Sequence, residues 1–180
     1  WRLTETTWLS TVNGYSPFIC YQGNYSLVVR DLEEEVLTVC SRKGIGLVPF
    51  GALAHGFLTG KYKPGERSVE GSRSASNWVF LDNMFAENAD DILAKLLDVA
   101  EANNVTPADV AIQWVRARSG VSSVLVGPRT ADQMKQSLRS LEFELSEDDS
   151  RALTAISAPK PRYPRNMEAG QQARRDAALK

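Results

Sequence analysis

The residues most able to do chemistry sit in one run, Gly44 to Tyr62, GIGLVPFGALAHGFLTGKY. It opens with Ile45 to Phe50, a short apolar segment without polar alternation, the pattern of a parallel strand covered on both faces. Gly51, Ala52, Ala54, Gly56 and Gly60 follow. Their small side chains leave backbone N–H groups open to close approach, and such groups bind anions, phosphates above all. Read alone, the run is either a phosphate loop or an ordinary irregular one. A second set is Gly127, Pro128, Arg129 and Thr130, where Arg129 offers a charge-assisted donor at the start of a helix. Thr130 and Gln133 form a capping-box pattern there, which serves the helix with or without a ligand. Gln22 ends another apolar run with an amide that can donate and accept, suited to a ligand amide or to loop backbone. His55, the chain's one histidine, lies in the glycine-rich loop without an acid–base partner set and reads as incidental to catalysis.

The surrounding pattern says how these residues are held. Trp1 to Asn13 reads as an amphipathic helix with Leu3, Trp8, Leu9 and Val12 on one side, stopped by Gly14. Phe18 to Gln22 reads as a strand. Asp31 and Glu34 form a capping pair opening a helix to Lys43, with Leu32, Val36, Leu37, Val39 and Cys40 on its buried face and Gly44 as the stop. Ile45 to Phe50 is the next strand. Lys63 to Phe85 is rich in Gly, Ser, Arg and Asn and reads as a long surface loop, with Trp78, Phe80 and Phe85 as docking points. Helical spacing resumes at Asn88 and runs to Asn103 through Ile92, Leu93, Leu96, Leu97, Val99 and Ala100. Thr106 caps a helix that starts with Pro107 and runs to about Arg118. Val121 to Val126 is a third apolar strand, followed by the helix from Thr130 and a last helix capped by Ser146, with acids at its positive end. The alternation is that of repeated β/α units with parallel strands.

Composition restricts the function classes. The chain has 180 residues, 43% hydrophobic and 24% charged, with a net charge of −1. That is the composition of a globular fold able to bury a core, and the charge gives no reason to expect nucleic acid or an anionic membrane as partner. Cys20 and Cys40 lack metal-ligand spacing and read as two buried free thiols of a reducing compartment. No metal site is expected. No apolar stretch approaches the ~20 residues needed to span a bilayer, and no signal peptide is visible, so a cytoplasmic protein is expected. The chain begins at Trp1, inside a helical pattern and without an initiator Met, which reads as a fragment or a processed product.

The run GIGLVPFGALAHGFLTGKY is similar to the seventh-strand segment of the aldo-keto reductases, which typically reads G-I-G-V-x-x-Y-S-P-L-A-R-G-L-L-T-G-K-Y. FICYQGNYSLVVRDLEEEVLTVCSRKG from Phe18 resembles the family's sixth strand and helix, and VSSVLVGPRTADQMKQSLRSLEFELS from Val121 its eighth. The resemblance covers most of residues 1–157 and points to the branch with potassium-channel beta-subunit-like and aryl-alcohol-dehydrogenase-like members. It implies the C-terminal part of a TIM (β/α)8 barrel, with about three parallel strands where a whole barrel has eight in about 250 residues. Residues 158–180 would form an extended tail.

The resemblance also implies site roles, at the carboxyl ends of the strands where barrels of this type bind ligands. Gln22 matches the glutamine that holds a nicotinamide carboxamide. Phe50 stands where Tyr or Trp stacks on the nicotinamide, and any aromatic face can do so. Gly51 replaces a Ser and removes one hydroxyl from the pyrophosphate seat, leaving backbone amides at Leu53, Gly56 and Leu58 and the charge of Lys61. Gly127, Arg129, Thr130 and Gln133 match the segment that grips the adenosine end, including the 2′-phosphate of NADP. Ser137 replaces the asparagine that contacts adenine. NADP (NADPH) is thus the implied cofactor, with NAD as the alternative, and a small carbonyl compound the implied substrate. The family's Tyr, Lys, Asp and His tetrad lies in the first half of its barrel, so no catalytic residue is assigned here and the isolated chain is expected to be inactive. Two other readings stay open. One is a nucleotide-binding or sensor protein without catalysis. The other is a half-barrel that pairs with an N-terminal half or with itself to cover its strand edges.

Overall fold

The computed structural model describes residues 1–66, 69, 85–161, 163, 166 and 167. The expected docking points Trp78 and Phe80, most of the 63–85 loop and most of the tail lie outside those residues. The fold is α/β. Strand β1 (Cys20–Tyr21) runs parallel to β2 (Gly46–Leu47), with Cys20 opposite Gly46 and Tyr21 opposite Leu47. Between them lies α2 (Val36–Lys43), which ends where Gly44 turns left-handed at φ 67°, ψ 29°. The pairing extends beyond β1, since the Phe50 N–H donates to Gly23 C=O (2.9 Å) and the Tyr25 N–H to Phe50 C=O (3.1 Å).

The expected third strand does not form as such. Residues 120–125 run beside β2, with Leu47 N–H donating to Gly120 C=O and Ser122 N–H to Leu47 C=O, both at 2.8 Å. The next donor is Leu125, to Pro49 C=O. Donors three residues apart break the alternation a parallel ladder needs, and one bridge remains, Leu47 with Val121. Gly46 allows the close approach, because a Cβ there would stand 2.3 Å from Ser122 Oγ. The β2 segment is also not covered on both faces. Ile45, Leu47 and Pro49 are buried, whereas Gly46 and Val48 are half-buried and Phe50 is 38% exposed. Helices cover one side only among the described residues.

Four helices follow. They are α3 (Ala89–Ala102), α4 (Pro107–Arg116), α5 (Ala131–Arg139) and α6 (Glu147–Ile156). Thr106 and Asp109 make the reciprocal capping box of α4, Thr106 Oγ1 accepting from Asp109 N–H and Asp109 Oδ2 from Thr106 N–H. Ala108 to Val115 are all buried, so α4 is the central helix of the core. Leu58, Ile92, Leu96, Val110, Trp114 and Leu153 join the loop after β2 to α3, α4 and α6 in that core. Phe85 docks on Phe57 with ring centroids 5.0 Å apart.

Three expectations about the first half are corrected. In α1 (Arg2–Val12) Trp8, Leu9 and Val12 are exposed, and Thr7 and Ser10 are the buried residues. Their hydroxyls donate one turn back, to Thr4 and Thr6 carbonyls, which lets a polar stripe face the protein. Asp31 heads only a 3₁₀ turn (Asp31–Glu33), and α2 begins at Val36. Glu33 is drawn instead into a bidentate pair with Arg30, 2.8 Å on each arm. Finally, Cys40 is buried as expected but Cys20 is exposed, because β1 has no neighbour on its outer edge among the described residues.

That pair is the centre of a buried polar network. Arg30, 7% exposed, also donates to Thr154 C=O (2.7 Å) and Ser157 Oγ (2.8 Å). Tyr25 Oη donates to Glu33, and Arg118 donates to Tyr25 Oη and Thr154 Oγ1. Both guanidinium groups lie against the Trp114 ring, 5.4 and 5.1 Å from its centroid. The network ties the β1–α2 connection to α6.

Candidate functional site

The glycine-rich loop and the start of α5 enclose a cleft of about 440 Å³. The loop's shape follows from its residue types. Gly51 sits at φ 75°, and a Cβ there would stand 2.4 Å from Asn24 Oδ1, so only glycine fits. Ala54, His55 and Gly56 are left-handed in succession, at φ 47°, 57° and 104°. Two non-glycine residues in that region hold strained backbone, as binding loops often do. Gly60, at φ 84°, closes the 3₁₀ segment Ala54–Thr59, and a Cβ on it would lie 2.9 Å from the Pro107 ring. The loop is therefore seated on the first turn of α4.

Of the sequence-predicted residues, Phe50, Gly51, Leu53, Gly56 and Lys61 line one wall, and Gly127, Arg129, Gln133 and Ser137 the other. Residues some 70 positions apart in the chain thus face one space. Gln22 is exposed just after β1, and it and Thr130 do not line the cleft. The amide assignments at Gly56 and Leu58 are corrected. Both N–H groups donate to Leu53 C=O, at 2.9 and 3.2 Å, and the Leu58 side chain is fully buried in the core. Among the described residues no backbone carbonyl accepts from the N–H of Ala52 or Leu53, so both are among the loop's candidate donors.

On the opposite wall the hydrogen bonds are built into the helix start. Thr130 Oγ1 accepts from Gln133 N–H at 3.2 Å. Gln133 Oε1 reaches past Thr130 to accept from Arg129 N–H at 2.7 Å, so it caps one residue earlier than a capping box requires. Ser137 Oγ donates to Gln133 C=O at 2.9 Å. Thr59, Tyr62, Ala108 and Gln136 also line the cleft and went unnoticed in the sequence. Gln136 was readable as the i+3 neighbour of Gln133 on one helix face. Ala108 carried no local signal, since tertiary packing brings α4 to the loop.

The electrostatics of the cleft are one-sided. Among the described residues its wall holds two basic side chains, Lys61 and Arg129, and no carboxylate, although the chain has 22 acidic residues. Such a wall suits an anion, and the aromatic side chain of Phe50 also lines it. Among the described residues no group of His, Cys, Asp and Glu could hold a metal ion, and no helix is long and apolar enough to cross a membrane.

Comparison with known proteins identifies the family. The model of the aldo/keto reductase family matches residues 4–158. An aldo-keto reductase of Fusarium vanettenii is 29% identical over 153 residues, 85% of this chain and 40% of that protein. An aryl-alcohol dehydrogenase of Pestalotiopsis microspora is 31% identical over 150 residues, 83% of this chain and 36% of that protein. Protein tas of Escherichia coli is 32% identical over 140 residues, 77% of this chain and 39% of that protein. The chain therefore spans about two fifths of the length of the curated relatives it matches. By its sequence from the first helix to the last, it belongs to the aldo/keto reductase family.

Proposed function

We propose that this chain is the cofactor-holding part of an NADP(H)-dependent oxidoreductase that reduces aldehydes or ketones to alcohols, corresponding in sequence to the segments of strands six to eight of a TIM barrel. The observation that carries the reading is the cleft, which joins two basic side chains, an exposed aromatic face and, among the described residues, a wall free of carboxylates. These residues fit a dinucleotide phosphate. Phe50 would carry the nicotinamide on its ring face, with Gln22 at the same end of the sheet for the carboxamide. The N–H groups of Ala52 and Leu53 with Lys61 would seat the pyrophosphate, and Arg129 at the start of α5 the adenosine phosphate. When bound, the reduced nicotinamide supplies hydride to a carbonyl carbon.

The acid–base groups that complete such a reduction lie, on this reading, in the part of the barrel this chain does not carry. His55, Lys61 and Tyr62 match no position of the family's tetrad. The chain binds cofactor and does not turn over alone. The missing strands would also cover Phe18, Ile19 and Leu125, which are 47%, 78% and 42% exposed along the open sheet. An N-terminal half supplied by the same or another chain would serve, and a cytoplasmic setting suits the reduced cofactor.

The test is titration of the purified chain with NADPH and NADH, followed by cofactor fluorescence. NADPH should bind, and Arg129→Ala should weaken it about tenfold or more while leaving NADH little changed. Adding an aldehyde should give no NADPH oxidation. Equal binding of NADPH by the variant and the wild type, or no binding by either, would sink the assignment.

A further inference from the structure

Phe50, which faces the cleft just beyond β2, is held from behind. It pairs with Asn24 in a parallel bridge. Its N–H donates to Gly23 C=O at 2.9 Å and its C=O accepts from Tyr25 N–H at 3.1 Å, so the 23–25 segment grips it on both sides. Successive side chains of an extended segment alternate between the two faces of a sheet. Burial follows that rule: Gly23, Tyr25 and Pro49 are buried, Gln22 and Phe50 exposed, and Asn24 half-buried. Tyr25 therefore points into the core, while the residue whose backbone it grips points into the cleft. The core in turn locks the gripping segment. A Cβ on Gly23 would stand 2.8 Å from both Leu32 Cδ1 and Tyr21 Cε1. The Tyr25 ring is fully buried, its centroid 5.7 Å from that of Trp114. Its Oη donates to Glu33 and accepts from Arg118 Nε at 3.3 Å, and Arg30, paired with Glu33, ties the hydroxyl to α6.

We propose that Tyr25 is a positioning residue for the nicotinamide end of the cofactor, its anchored hydroxyl holding Phe50 in the orientation on which a flat ring can stack. This role rests on the reading of the cleft as a dinucleotide site, and it extends that site to a buried residue that touches no ligand. A face that meets a ligand keeps its geometry only when the groups behind it are locked by packing and hydrogen bonds. Stacking of two flat rings depends on their separation and offset and is worth about two- to tenfold in affinity. Removing the hydroxyl leaves the Tyr25 ring to fill the core and loosens the grip on Phe50. The cost then falls on the nicotinamide. The adenosine phosphate, seated on this reading at Arg129 across the cleft, is spared.

The test measures the 180-residue chain's affinity for NADPH and for adenosine 2′,5′-bisphosphate, which keeps the adenosine end and lacks the nicotinamide. Tyr25→Phe should weaken NADPH about two- to fivefold, no more than Phe50→Ala does, and leave the bisphosphate unchanged. In a Phe50→Ala background, Tyr25→Phe should change neither ligand. A merely structural role would weaken both ligands alike, and that result overturns the proposal. So does unchanged NADPH affinity in Tyr25→Phe, or a loss that persists without the Phe50 ring. If the wild type binds NADPH no more tightly than the bisphosphate, the stacking face and its positioning residue fall while the phosphate seat stands. No binding of either ligand overturns the dinucleotide site and this inference together.

Discussion

Removing Glu33 tests whether the buried network holds the fold together. In Glu33→Ala, Arg30 loses both arms of its bidentate pair and keeps its bonds to Thr154 C=O and Ser157 Oγ. Tyr25 Oη loses its acceptor at the same time. A buried charge stripped of its partner costs about 3–5 kcal/mol. Because the Glu33 side chain is 21% exposed and water can enter, the low end, about 3 kcal/mol, is expected. Out of a total of about 5–15 kcal/mol that is a large loss. Urea unfolding followed by tryptophan fluorescence should show it as a midpoint lower by about 1–2 M. Replacing both partners, Arg30→Leu with Glu33→Leu, should cost less than Glu33→Ala, because no charge is then left unpaired. The pH dependence has a fixed sign. Burial pushes the Glu33 carboxyl up, but hydrogen bonds from Arg30 and Tyr25 and the charges of Arg30 and Arg118 outweigh it and hold it below its ordinary 4.5. A depressed carboxylate contributes its full stability above the ordinary value and loses it as pH falls through the lower folded value. Wild type and Glu33→Ala should therefore converge in stability on acidification. A loss below about 1 kcal/mol at pH 7, or a gap that widens in acid, would refute the reasoning.

Three other outcomes follow from local geometry. Gly51→Ala should cost about 2 kcal/mol in urea unfolding, more than Gly56→Ala, since both are left-handed but only Gly51 has an atom within 2.4 Å of the new methyl; equal costs would contradict this. Thr106→Ala should lose about 1 kcal/mol by removing the cap of α4, and an unchanged urea midpoint would show that Pro107 and Asp109 suffice. With a thiol reagent under native conditions, Cys20 should react quickly and Cys40 only on unfolding, because Cys40 is buried and burial pushes its thiol up; two fast thiols would refute it.

The helices were legible where the chain writes its own punctuation. Thr106 with Pro107, Ser146, Thr130 and Gly44 act through bonds to residues a few positions away, so their effect is local and readable. The faces of elements were not, where cover decides. Trp8, Leu9 and Val12 show which side of α1 seeks apolar contact, but the described residues bury Thr7 and Ser10 instead. Val121 to Val126 has the composition of a strand, yet a ladder needs regularly spaced donors on both sides. In the candidate site, the run from Phe50 to Lys61 was visible as glycine and small residues. Which of its amides face outward was not, because that depends on three successive left-handed residues, two of them not glycine. Ala108 and Thr59 belong to the cleft through packing of α4 against the loop, which no spacing in the sequence encodes.

The central claim is that two distant segments hold one dinucleotide phosphate. Amide hydrogen exchange of the chain with and without saturating NADPH tests it most directly. Added protection is expected in peptides spanning residues 50–61 and 127–137, present together and absent from α1. Protection elsewhere, or at only one of the two segments, would contradict it.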